Sequence, residues 1–422
     1  MEDFFDRFQA VVGISKYSNS EVITPLNIAK DMVDLLPAAI FKPEAKFLDP
    51  AVKSGRFLAE IYRRLMGSPL LLHMDEQSRR QHILENQLYG LATSATAAAI
   101  VRKQLYDGPT IAGNVVHTEG KVTKELIQGA FEIMKFDVVI GNPPYNKGMD
   151  LDFIDMGFEL SKQYTAMITP AKWQTADANQ GVASKNMTYG KFREKLVPHM
   201  SKVVFYPECS DVFGIAQADG ITYFLIDKDT HATCVVENRC KLQSLFNSTA
   251  TRDISKEQSL LNIGQEIVDY LGQYTRWAWP PLTKGRFEVW LNIQLLVRGS
   301  GGGISCLLMK DGDTQVVQRP HVLDTEAGDF ITSNASVCVY RANSIDECKS
   351  LESWINCKFT RFFVLMNISK LTGILTNHYW RFVPAPPSGK FDHIYTDAEL
   401  YEAFNLPQKY IDVIEAVIKE RK

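Results

Sequence analysis

From about residue 45 to 230, short apolar runs alternate with longer stretches in which apolar positions recur at helical spacing. "AKFLDP" (45–50) precedes "GRFLAEIYRRLM" (55–66), and "NQLYGLA" (86–92) precedes the alanine-rich "SATAAAIVRKQLY" (94–106), a strong helix former. "GNVVHTEG" (113–120) is followed by "TKELIQGAFEIM" (123–134), and "FDVVIG" (136–141) by "LDFIDMGFELS" (151–161). Then come "YTAMITP" (164–170), a helix near "YGKFREKLVPHM" (189–200), and the strands "KVVFYPE" (202–208) and "GITYFLID" (220–227). Strands alternating with helices predict βαβ units and a mostly parallel sheet. The last two strands have too little chain between them for a crossover helix, so they are expected to form an antiparallel edge pair.

Beyond about residue 240 the alternation stops. "TRWAWPPLTKGRFEVW" (275–290), the loop "RGSGGGIS" (298–305) and "TNHYWRFVPAPPSGKF" (376–391) follow no simple period. The final stretch from Thr396 reads as two short helices parted near Pro407, the first opened by a Thr396/Glu399 capping-box spacing. Two domains are expected, at 1–240 and 241–422, without internal repeats.

Composition narrows the classes. A chain of 422 residues with 45% hydrophobic and 23% charged residues fits a globular protein with ample core. Net charge is −3, so a nucleic-acid partner would have to meet a local basic surface. The seven cysteines lie between Cys209 and Cys357 without metal-site spacing, so no metal is expected, and reduced core thiols are. The acidic start "MEDFFDRFQA" does not resemble a signal peptide, and no run of roughly 18 uncharged apolar residues predicts a membrane span.

Two stretches carry chemistry. In "FLDPAVKSGRFL" (47–58), a turn at Ser54 and Gly55 joins strand to helix, and backbone N–H groups there can cradle a polar ligand. A packing glycine would explain this turn equally well. "DVVIGNPPYN" (137–146) runs an apolar strand into Asn142-Pro143-Pro144-Tyr145. The two prolines fix φ and remove donors, which holds the Pro143 carbonyl rigid. With the Asn142 amide oxygen beside it, two acceptors converge on the hydrogens of an exocyclic amine. Tyr145 adds a planar face for stacking on a base. A proline turn that merely closes the strand is the bland alternative.

Together "ITPLNIAKDMVDLL" (23–36), "FLDPAVKSGRFL", "QLYGLATSATAAAIVRK", "GNVVHTEG", "DVVIGNPPYN" and "GITYFLID" resemble the ordered motifs of gamma-class DNA adenine-N6 methyltransferases. The similarity is to the methyltransferase part of type IIG-like restriction-modification enzymes and covers residues 20–230. It implies an α/β fold: a Rossmann-like S-adenosylmethionine-dependent sheet with an antiparallel edge strand, plus a C-terminal α+β target-recognition domain. It implies S-adenosylmethionine as cofactor, double-stranded DNA as partner, no membrane, a companion restriction or defence subunit, and a cytoplasmic, prokaryotic or phage-encoded setting. By the same resemblance Thr24 and Pro25 would bind the methionine end of the cofactor. Asp49, Pro50, Ala51 and Gly55 would shape its pocket, and Asn114 would recognise its adenine. Asn142, Pro143, Pro144 and Tyr145 would hold the target adenine, with Phe224, or Tyr223 in its place, packing on the flipped base.

Two departures from the family pattern stand out. Val52-Lys53 replaces a small pair, and Leu91-Ala92-Thr93 lacks an acid for the cofactor ribose. In the second domain, Arg276, Trp277, Trp279, Lys284, Arg286 and Trp290, and then His378, Tyr379, Trp380 and Arg381, interleave basic and aromatic residues suited to DNA contact. Tryptophans packed in a core are the competing reading. "DECK" (346–349) reads as a solvated helix face, and no nuclease constellation is visible. A similar enzyme acting on RNA or protein glutamine, and a degenerate fold kept as a DNA-binding module, are the alternative functions.

Overall fold

The computed structural model describes residues 23–106, 113–145, 148–174, 186–207, 209–214, 220–230, 233–240, 244–255, 259, 261–292, 320–331, 336–367 and 380–420. The apolar run at 47 becomes β1 (Phe47–Val52), buried along its whole length as a central parallel strand should be. A tight turn at Gly55 leads into α2 (Arg56–Met66), which packs against α1 (Leu26–Val33). Gly55 has φ +73°, and a Cβ there would lie 2.8 Å from Val101 Cγ1. Left-handed backbone and close helix approach together demand glycine at this point.

The alternation continues through α3 (Glu76–Asn86), β2 (Leu88–Ala92), α4 (Ala95–Tyr106), β3 (Val115–His117), α5 (Lys124–Phe131) and β4 (Phe136–Gly141). It proceeds through α6 (Met149–Leu160), β5 (Ser161–Pro170), α7 (Tyr189–Lys195), β6 (Met200–Tyr206) and β7 (Ile221–Asp227). Apolar residues of α1 to α4 fill one face of the sheet and those of α5 to α7 the other. The strand order is β3-β2-β1-β4-β5-β7-β6-β8-β9. β1 is flanked by β2 and β4, both parallel to it, so the chain reverses its winding between β1 and β4. In sheets of this kind ligands bind at that switch, beyond the carboxyl ends of the strands.

The expected antiparallel pair is present, since β7 runs antiparallel to both β5 and β6. It is not the sheet edge. β8 (Cys234–Asn238) adds parallel to β6, and β9 (Ser248–Arg252) closes the sheet antiparallel to β8. The sheet therefore crosses the boundary expected at 240. α8 (Asn262–Tyr270) seals this junction: its Asn262 side chain donates to the Val236 carbonyl at 2.9 Å, and its backbone N–H donates to Asn238 Oδ1 at 2.6 Å.

The remainder is α+β. A three-stranded antiparallel sheet, β11 (His321–Asp324), β10 (Phe287–Asn292) and β12 (Ser336–Ala342), packs with α9 (Ile345–Asn356). α10 (Lys358–Asn367), α11 (Asp397–Ala403) and α12 (Gln408–Val417) complete it. Thr396 caps α11 by accepting from the Glu399 N–H, as its spacing predicts. "DECK" forms the start of α9, with Asp346 exposed in its first turn. The apolar cluster of this region includes Ala171 and Phe205 of the large sheet beside Phe246, Leu261 and Phe362. Among the described residues, six cysteines are buried and form no disulfide, and no helix is long and apolar enough to cross a membrane.

Candidate active site

Asn142 follows β4 directly at the switch point. A Cβ on Gly141 would come 3.1 Å from Asp49 Oδ1 and 3.5 Å from Pro50 Cδ, so glycine lets this loop sit against β1. The Asn142 carboxamide is buried and held at both ends. Its Nδ2 donates to Thr24 Oγ1 at 3.1 Å, and its Oδ1 accepts from the Tyr145 hydroxyl at 2.8 Å. Thr24 is buried in turn, and its carbonyl accepts from the buried Arg56 Nη1 at 2.6 Å. Pro25 then caps the start of α1. Motifs 118 residues apart thus meet at one side chain.

Carboxyl groups flank this loop on both sides. Asp49 is buried, and its Oδ1 accepts from the Ala51 N–H at 3.0 Å. Burial pushes its carboxyl up to about 7, while that hydrogen bond and the charge of Lys53 pull the other way. Asp150, in the first turn of α6, accepts from Thr169 Oγ1, and burial raises it to about 6. The Tyr145 phenol is pushed well above its ordinary value by burial first, then by the nearby Asp150 and Cys209. Asp150 was not singled out from the sequence; an acid in the first turn of the helix after Tyr145 was the available signal.

Beside the loop lies a cavity of about 240 Å³, lined chiefly by apolar atoms of Pro50, Leu91, Ala92, Pro144, Phe153 and Met156. Thr93, Gly120, Lys121, Val122, Met149 and the acid Asp152 complete its lining. Pro50 lines this cavity, and Ala51 follows it in β1. Gly55 belongs to the same turn, but its hydrogen faces Val101, so its role is packing.

Two expected site residues lie elsewhere. Asn114 precedes β3, at the opposite end of the strand from the cavity, and its Nδ2 donates to the Glu85 carbonyl at 2.6 Å. The chain reaches the ligand end of the sheet only after His117, where Thr118, Glu119 and Gly120 follow. Thr118 Oγ1 is buried there without a hydrogen-bond partner. Phe224 is fully buried mid-strand, between Met167 and Val203 on neighbouring strands and 6.3 Å from the Trp173 ring. It is core and cannot face a base. Tyr223 is equally buried on the other face, its hydroxyl 3.4 Å from Asp31 Oδ2.

Most of the described aromatic and basic residues of the second region are engaged in packing and internal pairing. Trp277 packs against Trp279, Trp354 and Phe391, and Trp279 against Trp380. Arg276 donates to the Phe382 and Val268 carbonyls, Arg286 pairs with Asp324 and Glu326, and the Trp290 indole donates to Glu288. Lys284 is exposed and Arg381 lies over the Phe382 ring, while His378, Tyr379 and the 299–305 loop lie outside the described residues.

A doubly wound sheet with Asn-Pro-Pro-Tyr at its switch point defines a Rossmann-type methyltransferase domain. Residues 7–178 match the N-6 DNA methylase family. Enzymes of that family take their methyl group from S-adenosylmethionine. The chain is 27% identical, over 338 aligned residues covering 60% of it and 78% of the relative, to an "uncharacterized adenine-specific methylase" of Mycoplasma pneumoniae. Among solved structures it is similar to the type I restriction enzyme EcoKI M protein, at 17% identity and TM-score 0.41, covering 54% of this chain and 50% of that one. It is also similar to the type I restriction-modification methyltransferase subunit of Streptococcus thermophilus, at 17% identity and TM-score 0.38, covering 54% and 49%. The chain thus spans about half the length of these solved relatives.

Proposed function

We propose that the chain is a site-specific DNA methyltransferase that transfers a methyl group from S-adenosylmethionine to N6 of adenine, in a restriction-modification or related defence setting. The observation that carries this reading is the Asn142 carboxamide held between Thr24 and Tyr145, next to buried Asp49. The residues present suit the cofactor. Asp49 is a buried carboxyl suited to a cationic ligand, the cavity beside Ala92 is a largely apolar slot that suits a base, and Thr118, two residues before the lining residue Gly120, is an orphaned hydroxyl. We assign Thr24, Pro25, Asp49, Pro50 and Ala51 to its methionine side and the cavity to its adenine. When bound, the cofactor supplies an activated methyl group, so the protein need not generate an electrophile.

The chain's own residues act on the amine. A paired base cannot reach a site recessed at the switch point, so it must leave the helix at a cost of a few kcal/mol. Asn142 Oδ1 and the Pro143 carbonyl then accept its two N6 hydrogens and draw the nitrogen lone pair out of ring conjugation. Pro144 fixes the carbonyl's direction, and the Tyr145 ring stacks on the base. Tyr145 donates to the same Oδ1 that the amine needs, so base entry competes with or shares that acceptor. Catalysis on this account is positioning and preorganised dipoles. The C-terminal region is assigned to target recognition, and a restriction or defence subunit is a fitting partner.

The test is where the methyl group goes. Labelled cofactor incubated with the chain and duplex DNA should yield N6-methyladenine on nucleoside analysis. Label entering RNA or protein glutamine, or no transfer, would favour the alternatives.

A pH dependence follows from Asp49. A cationic cofactor favours its ionised form, so affinity should rise with pH up to about 7 and then level off. If only the ionised form binds, affinity at pH 6 should be roughly tenfold below that at pH 8. Calorimetric titration of wild type and Asp49→Asn separates this effect from the cofactor's own titration, which remains in the variant. The sign for folding is opposite: a carboxyl raised to about 7 makes the folded state lose stability as pH climbs from about 4 to 7.

A further inference from the structure

We infer that Thr24 is a positioning residue for the catalytic amide: its hydroxyl anchors the Nδ2 end of the Asn142 carboxamide, and Arg56 holds Thr24 in place. The inference rests on the functional reading above, and it assigns Thr24 a task separate from cofactor contact.

The argument starts from the amide itself. The two ends of a carboxamide have nearly the same shape, yet only the oxygen can accept hydrogens from an amine. A carboxamide free to swing would present its oxygen to the amine only part of the time, so both of its ends need a fixed neighbour. The Thr24 hydroxyl accepts from Asn142 Nδ2 at 3.1 Å and anchors that end, which places Oδ1 on the Tyr145 side, where the base would stack.

Thr24 is itself immobilised from outside its own segment. Arg56 Nη1 donates to its carbonyl at 2.6 Å, from the first residue of α2. Arg56 is buried, its Nε has no hydrogen-bond partner, and burial pulls its guanidinium below the ordinary value. Among the described residues no carboxylate pairs with it. A buried guanidinium spent on a single carbonyl is costly for stability alone, which points to placement of that carbonyl as its use. Ala29 N–H also returns to the Pro25 carbonyl at 3.0 Å, so the segment after Thr24 is fixed by the first turn of α1. The resulting chain of contacts is Arg56 to Thr24 to Asn142 to Tyr145.

The test compares Thr24→Val with Thr24→Ser in the full chain. At saturating cofactor and DNA, Thr24→Val should lower kcat by about tenfold or more, over and above any loss of calorimetric cofactor affinity. Thr24→Ser, which keeps the hydroxyl, should restore kcat to within about threefold. A readout independent of activity is the side-chain amide signal of Asn142 in protein labelled with ¹⁵N-asparagine, identified by its loss in Asn142→Ala. Its hydrogens should exchange faster in Thr24→Val, as in wild type in Thr24→Ser, and at an intermediate rate in Arg56→Met. Should Thr24→Val fail to fold, Arg56→Met carries the comparison. Weaker cofactor binding with unchanged kcat and an unmoved amide signal would overturn the inference. A wild-type chain that methylates no DNA would overturn the functional reading instead, and the amide exchange would still decide the Thr24 contact.

Discussion

Asn142→Ala should abolish methyl transfer while leaving cofactor binding within about threefold of wild type, because the lost group touches the amine and not the methionine. Removing one preorganised group from a transition state costs about 10²–10³ in rate, and Asn142 also grips the base before reaction, so the loss should exceed that range. The structure adds a second consequence. Thr24 Oγ1 and the Tyr145 hydroxyl both lose their partner, and each is held in a largely buried setting. Leaving such groups unpaired costs about 1–3 kcal/mol, so a lower melting temperature should accompany the lost activity. Labelled-methyl incorporation, cofactor calorimetry and thermal unfolding of the same preparation check all three. Transfer at the wild-type rate would remove Asn142 from the mechanism.

A chain ended at residue 240 should fail to fold, although the sequence alone suggests a domain boundary there. β9 would be missing, which leaves the outer edge of β8 unpaired from Cys234 to Asn238. α8 would go with it, and Asn238 and Val236 would lose the hydrogen bonds that Asn262 makes. Phe205 and Ala171, fully buried in the shared apolar cluster, would face water. An exposed strand edge beside exposed apolar side chains favours aggregation. Solubility and circular dichroism of the 1–240 chain measure this, and a soluble, cooperatively melting product would show that the large sheet is independent. Target recognition is therefore better probed by substitution in the full chain than by truncation.

How much was legible depends on which force shaped each segment. The buried parallel strands announce themselves as apolar runs, and α2, α4 and α6 by their spacing. α3 was missed because only Ile83 and Leu84 of its eleven residues are buried, so it carries almost no apolar stripe. Asp75, which caps it by accepting from the Ser78 N–H, was the only local signal. β9 was missed because an edge strand alternating half-buried with exposed positions, as "STATR" does, has no apolar signature.

Errors at the site have the same origin. Asn142, Tyr145, Thr24 and Asp49 come together because each is tied to the end of a strand or helix that the pattern locates. Asn114 failed because its motif was placed before β3, and only the direction of the strand tells which end faces the ligand. Phe224 failed because β7 is covered on both faces, so alternation cannot distinguish core from pocket. The tryptophans of the second region pack on one another, and pairing among residues distant in sequence leaves no trace in local spacing.

The most direct measurement of the central claim is to map modified bases in DNA from cells expressing the wild-type chain or Asn142→Ala. The account predicts N6-methyladenine at one recurrent sequence in the wild-type sample, absent from the variant. Unmodified adenine in both, or the same mark in both, would contradict it.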